Sequence, residues 1–254
     1  MNLQNKAEAL LSEVKCRRSV LCRGLDDAEP LISINRDETL SSASTIKVPI
    51  LMALISHADA GDINLEQAVD VRHILDDTKV FEYGGRKASL RELAVWMIIL
   101  SDNTSTNALI DFLGFDAING FIASLGLRNT ALRRKMLDFA SREAGIDNTT
   151  TAEDMFFLFK RIFRDERDKY REAADILRRQ RSKEMLARYI WEDVKIAHKS
   201  GALDYLTHDA GVMTVKGKEV FAGAFLWDTE DIEGDPRLIG RIGRAIYDYL
   251  NGGE

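Results

Sequence analysis

The sequence has little cysteine and histidine, and each shortage excludes a kind of site. Its 254 residues contain two cysteines, Cys16 and Cys22, which are too few for a disulfide framework. On one extended segment their Cα atoms would lie roughly 20 Å apart, whereas a disulfide needs about 7 Å, so we predict two free, structural thiols. The four histidines show no metal-ligand spacing, and we therefore expect neither a metal site nor a cofactor.

Long apolar runs and excess positive charge are missing as well. No run approaches the ~18 residues of a membrane span, and there is no glycine-rich phosphate loop, internal repeat or low-complexity segment. The formal net charge of −6 argues against non-specific binding to nucleic acid or an acidic membrane surface. The amino-terminal stretch lacks an apolar signal region, so we expect a cytoplasmic protein, secreted only if a leader has been removed. The oligomeric state stays open.

The residues that are present predict helices and strands in an unusual order. A helix is expected at 3–15, followed by two strands with a turn at 26–29. Strands return from 194 to 227, with a hairpin turn at Lys216-Gly217, and a helix that begins near Pro236 closes the chain. Six helices are predicted in between, at 44–58, 89–100, 103–114, 116–126, 151–163 and 168–186.

This order predicts an α+β fold. An antiparallel sheet would be built from both chain ends and flanked by the terminal helices, and a mainly helical lobe would be inserted into it. The expected boundaries are 1–42 and 190–254 for the sheet lobe and 43–189 for the helical lobe. Sites form preferentially at such seams, so we expect the active site between the two lobes.

Two S-x-x-K pairs offer a nucleophile with a base, and S-x-x-K occurs by chance about once in a chain of this length. Ser12 and Lys15 end an amphipathic helix, where we expect both to be solvated. Ser44 and Lys47 begin a helix that is apolar on every side and therefore buried. Burial and the helix dipole favour a neutral lysine, which can take a proton from a hydroxyl. The alternative is a capping serine with a lysine that reaches solvent.

Two further motifs strengthen the second pair. Ser101-Asp102-Asn103 follows a nearly all-apolar helix, so the triplet forms a loop at the end of a buried segment. Lys199-Ser200-Gly201 lies on the first strand after the helical block. Each motif is weak alone, since the first can cap the next helix and the second can be an exposed strand end. The three motifs in this order are a much stronger indication.

The chain resembles the class A β-lactamase family of penicillin-recognising serine enzymes over nearly its whole length. The α+β fold predicted above is also the fold that this resemblance implies. The stretches that carry the resemblance are SSASTIKVPI around Ser44, SDNTSTN at 101–107, HKSGA at 198–202, and the threonine run at 149–151.

The resemblance implies a role for each matching residue. Ser44 would be the nucleophile, Lys47 its base, directly or through a water, and Ser101 the relay that passes a proton to the leaving nitrogen. Asp102 would hold its loop through backbone hydrogen bonds. The residues expected to bind substrate are Asn103 at its amide, Lys199 and Ser200 at its anionic group, and Gly201 and Ala202 along the strand, with the N–H groups of Ser44 and Ala202 forming an oxyanion hole.

The chain also departs from the family pattern. An E-x-x-x-N element is expected before the threonine run, but ungapped counting from Thr149 puts Lys135 in the Glu position. Asp138 and Glu143 are then the candidates for deacylation, the alternative being surface or loop-bracing acids. Asn148 stands where a loop-closing Asp is expected, so the usual ion pair with an Arg looks absent.

The residues that would recognise a substrate carboxylate are also not obvious. His208 is a candidate replacement for the missing Arg, the alternative being a loop-bracing residue beside Asp209. Phe81 or Tyr83 is a candidate for the wall of the cleft, the alternative being that both are packing residues.

The expected function is a serine hydrolase that forms an acyl-enzyme with a small lactam, amide or ester. A D-Ala-D-Ala peptidase or esterase, and a covalent penicillin-binding or sensor module that does not hydrolyse, are the alternatives. An interaction protein is a different class of hypothesis, based on the charged stretch 160–183. That stretch also carries five acids and is typical of a solvated surface.

Overall fold

The computed structural model describes residues 2–252. Five strands form the main antiparallel sheet in the order β2-β1-β9-β8-β7. Two shorter antiparallel pairs, β3 with β6 and β4 with β5, lie outside it. The strands are β1 (Arg17–Gly24), β2 (Ile32–Ile34), β3 (Leu40–Ser41), β4 (Ala68–Asp70), β5 (Lys87–Ser89), β6 (Thr149–Thr150), β7 (Lys195–Leu203), β8 (Leu206–Val215) and β9 (Lys218–Trp227).

The main sheet joins the two ends of the chain, and the helices fall between and around its strands. This confirms the predicted architecture of a sheet with terminal helices and a helical insertion. None of the described helices has the length and apolar character to cross a membrane. The helices are α1 (Leu3–Leu11), α2 (Lys47–Asp59), α3 (Leu90–Ile99), α4 (Asn103–Leu113), α5 (Phe115–Ser124), α6 (Phe139–Glu143), α7 (Ala152–Lys160), α8 (Arg171–Arg178) and α9 (Asp235–Leu250).

The sheet is covered on both faces. Helices α1 and α9 pack on one face, where Leu3, Leu11 and Ile239 are buried with Val20 and Ala222 of the strands. Helices α2 to α5, α7 and α8 form the second core, which reaches the other face through residues such as Phe221 and Phe225. The boundaries predicted at 42/43 and 189/190 stay predictions.

Helix α2 runs through the centre of the second core. Every residue from Lys47 to Ile55 is buried, as expected for a helix without a polar side. Pro49 lies in its first turn, where a missing N–H disturbs no helical hydrogen bond. The start of α2 is therefore held rigidly in the core.

The hairpin between β8 and β9 turns at Lys216-Gly217, as predicted. Both residues have positive φ, 49° and 79°, as a two-residue turn that follows the strand twist requires. The predicted helix 168–186 is wrong in its second half, because α8 ends at Arg178. Beyond that helix, the side-chain oxygen of Gln180 accepts hydrogen bonds from the N–H groups of Arg181 and Ser182, which replaces helical bonding with a local turn.

Candidate active site

The two S-x-x-K pairs lie in opposite environments. Ser12 and Lys15 are exposed at the end of α1, as predicted, and the Ser12 hydroxyl donates to the Ala9 carbonyl. Ser44 lies in a 3-10 helix, Ala43–Ile46, that leads directly into α2. Ser44 is half-buried, and Lys47 is fully buried. Only the second pair combines a reachable hydroxyl with a desolvated amine.

The residue before Ser44 is held in an unfavourable backbone conformation. Ala43 has φ of 43°, in the left-handed region that a residue with a Cβ rarely adopts. Such conformations persist only where the surrounding structure enforces them, and they cluster at functional sites. The backbone therefore presents Ser44 at some energetic cost.

The Lys47 ammonium group connects α2 to the Ser101-Asp102-Asn103 loop. Its Nζ donates to the Ser101 carbonyl at 2.7 Å, the Asn103 Oδ1 at 2.8 Å and the Ser101 hydroxyl at 3.1 Å. Within residues 2–252 no hydrogen bond joins Lys47 to the Ser44 hydroxyl. The structure thus brings Lys47, Ser101 and Asn103 together and leaves the Ser44 hydroxyl unengaged.

Asp102 holds this loop in place, as expected. Its carboxylate caps α4 by accepting from the Ser105 N–H and hydroxyl, each at 2.7 Å. The other carboxylate oxygen accepts from the Thr78 hydroxyl at 2.8 Å and from the Lys79 N–H at 3.0 Å. Ser101 is in the left-handed region with φ of 56°, so the loop turns sharply between α3 and the capped start of α4.

Lys199 reaches the same loop from the sheet. It lies on β7, is fully buried, and donates to the Ser101 hydroxyl at 3.1 Å and to the Ser200 carbonyl at 2.6 Å. The Ser101 hydroxyl therefore lies between two lysines that come from different parts of the fold. This hydroxyl therefore lies where a loop of the helical part meets the sheet, and an active site at this seam stays a prediction.

Burial shifts the pKa of both lysines downward. Desolvation lowers the pKa of Lys47 well below its ordinary value and the charge of Lys199 lowers it further, while Asp102 and Asp77 oppose the shift. Desolvation lowers the pKa of Lys199 to about 8, with the Asp209 carboxylate opposing the shift. Both amines therefore have a larger neutral fraction than an exposed lysine has.

The strand that carries Lys199 lies against the start of the Ser44 turn. A Cβ added to Gly201 would lie 2.8 Å from the Ser44 nitrogen and 3.0 Å from the Ala43 Cβ. Glycine is therefore the residue that fits at this crossing. The close approach brings the backbone of β7, including exposed Ala202, beside the Ser44 N–H.

The loop from 132 to 148 is closed by an ion pair, contrary to the expectation that this pair is absent. The Arg134 guanidinium binds the Asp147 carboxylate, with Nε and Nη2 each 2.8 Å from Oδ1. The expectation failed because Asp147 lies one residue before the position that counting indicates. Asn148, at that position, instead accepts from the N–H groups of Arg133 and Arg134.

The closed loop is also tied to the residues before the nucleophile. The Ser41 hydroxyl donates to the Asp147 carboxylate at 2.6 Å, and the Ser42 N–H donates to the Asn148 carbonyl at 2.8 Å. A further residue that sequence reasoning missed, Asn107, binds the N–H and the carbonyl of Met136 through its side chain. Asn107 ends the SDNTSTN stretch, so the resemblance already contained the signal.

The structure brings neither predicted deacylation carboxylate to the lysines. Asp138 caps α6 by accepting from the Ser141 N–H and hydroxyl, and these hydrogen bonds lower the pKa of its carboxyl. Glu143 is exposed at the end of α6. Within residues 2–252, neither carboxylate forms a hydrogen bond to Ser44, Lys47 or Ser101, so Asp138 braces its loop instead. Lys135, which counting placed in the Glu position, pairs with Asp111.

His208 does not face the cleft, which corrects its predicted role. The ring is fully buried on Phe225, at 5.2 Å between ring centroids, and its Nε2 lies 2.9 Å from the Ser41 carbonyl oxygen. Desolvation lowers the pKa of His208 to about 4, so the ring is neutral and offers no charge to a substrate carboxylate. It braces the end of β3 instead.

The two aromatic candidates for the cleft wall also differ. Phe81 is buried and packs edge-on against Trp96, with ring centroids 5.5 Å apart, so it is a core residue. Tyr83 is 99% exposed and is therefore free to meet a ligand. Asp77 was missed by sequence reasoning, although its carboxylate accepts from the Asn103 Nδ2 at 2.6 Å.

The remaining side-chain chemistry is simple. Cys16 and Cys22 are both free thiols, and burial raises the pKa of Cys22 to about 12. Between residues 2 and 252, no group of three or more His, Cys, Asp or Glu side chains could hold a metal ion. The site contains a half-buried serine, a second hydroxyl and two buried lysines, which are the groups that an active-serine acyl-transfer enzyme needs.

Comparisons with known proteins agree with this class. Residues 2–250 match the model of the β-lactamase enzyme family. A β-lactamase of Rhodobacter capsulatus is 34% identical over 131 residues, which are 47% of this chain and 42% of that protein. Less than half of that relative's length is therefore matched. Because the family model spans nearly the whole chain, this protein belongs to the β-lactamase enzyme family.

Solved structures are similar over almost the full chain. PBP-A is 26% identical with a TM-score of 0.88, covering 98% of this chain and 96% of that chain. A class A β-lactamase from Bacteroides cellulosilyticus DSM 14838 is 21% identical with a TM-score of 0.88, covering 98% and 97%. The fold is therefore that of a class A β-lactamase.

Proposed function

We propose that this protein is a class A β-lactamase-like serine hydrolase that is acylated at Ser44 by a lactam. The observation that carries this proposal is the buried Lys47 amine, which follows half-buried Ser44 by three residues and whose Nζ lies 3.1 Å from the Ser101 hydroxyl. An amine with a lowered pKa is a competent proton acceptor for a neighbouring hydroxyl. The lysine thus serves as the base of the acylation step.

The chemical step balances with the residues at the site. The Ser44 oxygen attacks the carbonyl carbon, and its proton passes to Lys47, directly or through a water. As the C–N bond breaks, the Ser101 hydroxyl gives its proton to the leaving nitrogen and recovers one from Lys47. The N–H groups of Ser44 and Ala202 stabilise the oxyanion, which is worth about 3 kcal/mol per donor.

Substrate recognition follows from the groups that border Ser101. The positive charge of Lys199 and the hydroxyl of half-buried Ser200 suit an anionic substrate group, and the Asn103 amide suits a substrate amide. A variant of PBP-A, whose structure is 27% identical to this chain, has been solved as an acyl-enzyme complex with penicillin G. A penicillin combines a lactam with a carboxylate and a side-chain amide, and it is our proposed acyl donor.

A covalent penicillin-binding protein that does not hydrolyse is the second candidate. It is favoured because Asp138 is committed to capping α6 and Glu143 is exposed. Deacylation needs a base that activates water, and no carboxylate of residues 2–252 is hydrogen-bonded to Ser44 or Lys47. The two candidates share acylation at Ser44 and differ only in the lifetime of the adduct.

Intact-protein mass spectrometry with penicillin G tests both candidates. We expect an adduct of the mass of penicillin G on the full chain, its absence in Ser44→Ala, and its presence in Ser12→Ala, which removes the serine of the other S-x-x-K pair. An adduct that decays with release of penicilloate indicates the hydrolase, and a persistent adduct indicates the binding protein. An adduct that survives Ser44→Ala, or no adduct in any variant, would overturn the proposal.

A further inference from the structure

A second cavity lies beside the first half of edge strand β7. Its volume is about 730 Å³, which is the size of a small-molecule site. It is bordered by β7, by neighbouring positions of β8 and β9, and by helical-lobe residues before and after α8. Ser44, Lys47 and Ser101 are not among the residues that border it, so it is separate from the proposed active site.

The wall of the cavity carries more positive than negative side chains. Arg167, Lys183 and Lys195 border it, and all three are exposed enough to reach a ligand. Within residues 2–252, none of them has a carboxylate oxygen within 4.0 Å. The cavity therefore attracts anions.

The two acids at the cavity wall do not cancel this charge. Glu219 pairs with Arg164 at 3.3 Å, and Glu192 pairs with Arg244 at 3.1 Å. Each arginine also pairs with a second acid outside the cavity, Asp26 and Asp248, each at 2.8 Å, so the two wall acids reduce the positive charge without cancelling it. The fourth cation of the wall, Arg178, pairs with Asp175 at 3.0 Å.

A buried histidine also lines the cavity. His198 is 3% exposed, and its Nδ1 lies 2.7 Å from the Asp209 carboxylate. The other Asp209 oxygen accepts from the Leu186 N–H at 3.1 Å, which fixes the carboxylate and thereby the ring. Within the described chain no hydrogen bond uses the second ring nitrogen, Nε2. The Asp209 contact therefore orients a ring whose free nitrogen has no protein partner.

The free ring nitrogen suits a phosphate. A charged imidazole donates from Nε2 to a phosphate oxygen, and a neutral imidazole accepts there from the hydroxyl of a monohydrogen phosphate. Arginine and lysine are the usual partners of the remaining phosphate oxygens. We propose that this cavity binds a small molecule bearing phosphate groups, held by Arg167, Lys183 and Lys195 and oriented by His198. The proposal does not depend on the proposed hydrolase activity.

Calorimetric titration of the full chain with pyrophosphate tests the site. We expect a dissociation constant of about 1 mM or lower, so that binding saturates by a pyrophosphate concentration of about 10 mM. The double variant Arg167→Gln/Lys195→Gln should bind about tenfold more weakly, a loss of about 1.4 kcal/mol. Lys15→Gln makes a charge change of the same kind on an exposed lysine of the amino-terminal segment and should bind as the original chain does. The single variant His198→Gln should also weaken pyrophosphate binding, independently of the double variant.

The position of binding is checked by long-range ¹H–¹⁵N spectra of the histidine rings. Pyrophosphate should shift the His198 Nε2 resonance and leave that of His57, which pairs with Asp62 on the surface, unchanged. Absence of binding, equal affinity in the double variant, or binding without a change at His198 would overturn the proposal. Equal affinity for citrate would overturn the assignment to phosphate.

Discussion

Lys47 and Lys199 each donate a hydrogen bond to the hydroxyl oxygen of Ser101, and both Nζ–Oγ distances are 3.1 Å. Two charged amines around one oxygen repel each other strongly when both are buried, which favours loss of a proton from one of them. A neutral Lys47 keeps two donors, enough for the Ser101 carbonyl and the Asn103 Oδ1, and its lone pair then faces the Ser101 hydroxyl. Protons can thus pass between Ser101 and Lys47 while Lys199 stays charged.

The first prediction concerns the pH dependence of acylation. Because the pKa of Lys47 is lowered, its neutral, basic form is gained as the pH rises, and acylation should accelerate there. Lys199 has a pKa of about 8 and must stay charged to attract the substrate anion, so acylation should slow above about pH 8. A bell-shaped profile of the second-order acylation rate constant is the expected result.

The Lys199→Arg variant identifies the group responsible for the alkaline limb. Arginine stays charged over the whole range, so the decline near pH 8 should disappear even if the maximum rate falls. A decline that persists unchanged in Lys199→Arg would show that another group produces it.

The second prediction compares the two S-x-x-K lysines. Lys47→Ala removes the amine that contacts Ser101 and Asn103, so the acylation rate should fall by about 10²- to 10⁴-fold, the usual contribution of a positioned base. Lys15→Ala removes an exposed lysine and should leave the rate unchanged. Stopped-flow measurement of adduct formation gives both rates, and circular dichroism verifies that each variant is folded.

The third prediction uses the close approach of β7 to the Ser44 turn. The Cβ of Gly201→Ala would lie 2.8 Å from the Ser44 nitrogen, so the strand or the turn must move. A displacement of about 1 Å can cost about 10²-fold in rate. The acylation rate of this variant should fall accordingly.

Gly120 provides the matched control for that substitution. It lies within α5, and a Cβ there would meet no atom within 4 Å. Gly120→Ala should leave acylation unchanged and raise the free energy of unfolding by about 0.5 to 1 kcal/mol. Equal rates for the two alanine variants would contradict the inferred role of Gly201.

The fourth prediction concerns Asp77. Its carboxylate accepts from the Asn103 Nδ2, and its charge raises the pKa of Lys47. Asp77→Asn removes the charge and keeps an acceptor oxygen, so the pKa of Lys47 should fall and the acidic limb of acylation should move to lower pH. Asp76→Asn removes the charge of the adjacent exposed acid. The acidic limb of the acylation profile should move less in this variant than in Asp77→Asn.

The fifth prediction separates structure from chemistry in the loop that contains α6. Asp138→Ala removes the cap of α6 and should lower the free energy of unfolding. Glu143→Gln should change neither stability nor the lifetime of the penicillin adduct, because the side chain is exposed. A much longer adduct lifetime in Glu143→Gln would restore this residue as the deacylation base.

Local pattern was sufficient to predict the central parts of the fold and site. The apolar α2, the loop that follows α3 and the strand of Lys199 each depend on neighbours close in sequence, which periodicity and spacing describe well. The hairpin at Lys216-Gly217 is equally local.

Features that depend on distant contacts were not predictable in the same way. The contacts of His208 join residues far apart in sequence, because its ring packs on Phe225 of β9 and its Nε2 lies beside the Ser41 carbonyl oxygen. The Arg134–Asp147 ion pair depends on the length of the intervening loop. Counting along the sequence placed the acidic partner at position 148, one residue too late. The Asp77 contact joins residues 26 apart, with β5 and α3 between them in the chain.

The closed base of the loop between Arg134 and Asp147 has an evolutionary consequence. The contacts that close this loop are the ion pair, Asn148 and the hydrogen bonds to Ser41 and Ser42, and all of them lie outside residues 135–146. They hold the segment that precedes Ser44 in place. Residues 137–146, none of which is buried, can therefore vary while these contacts remain. We expect changes confined to that segment to alter the release of the acyl group and to leave its capture at Ser44 intact.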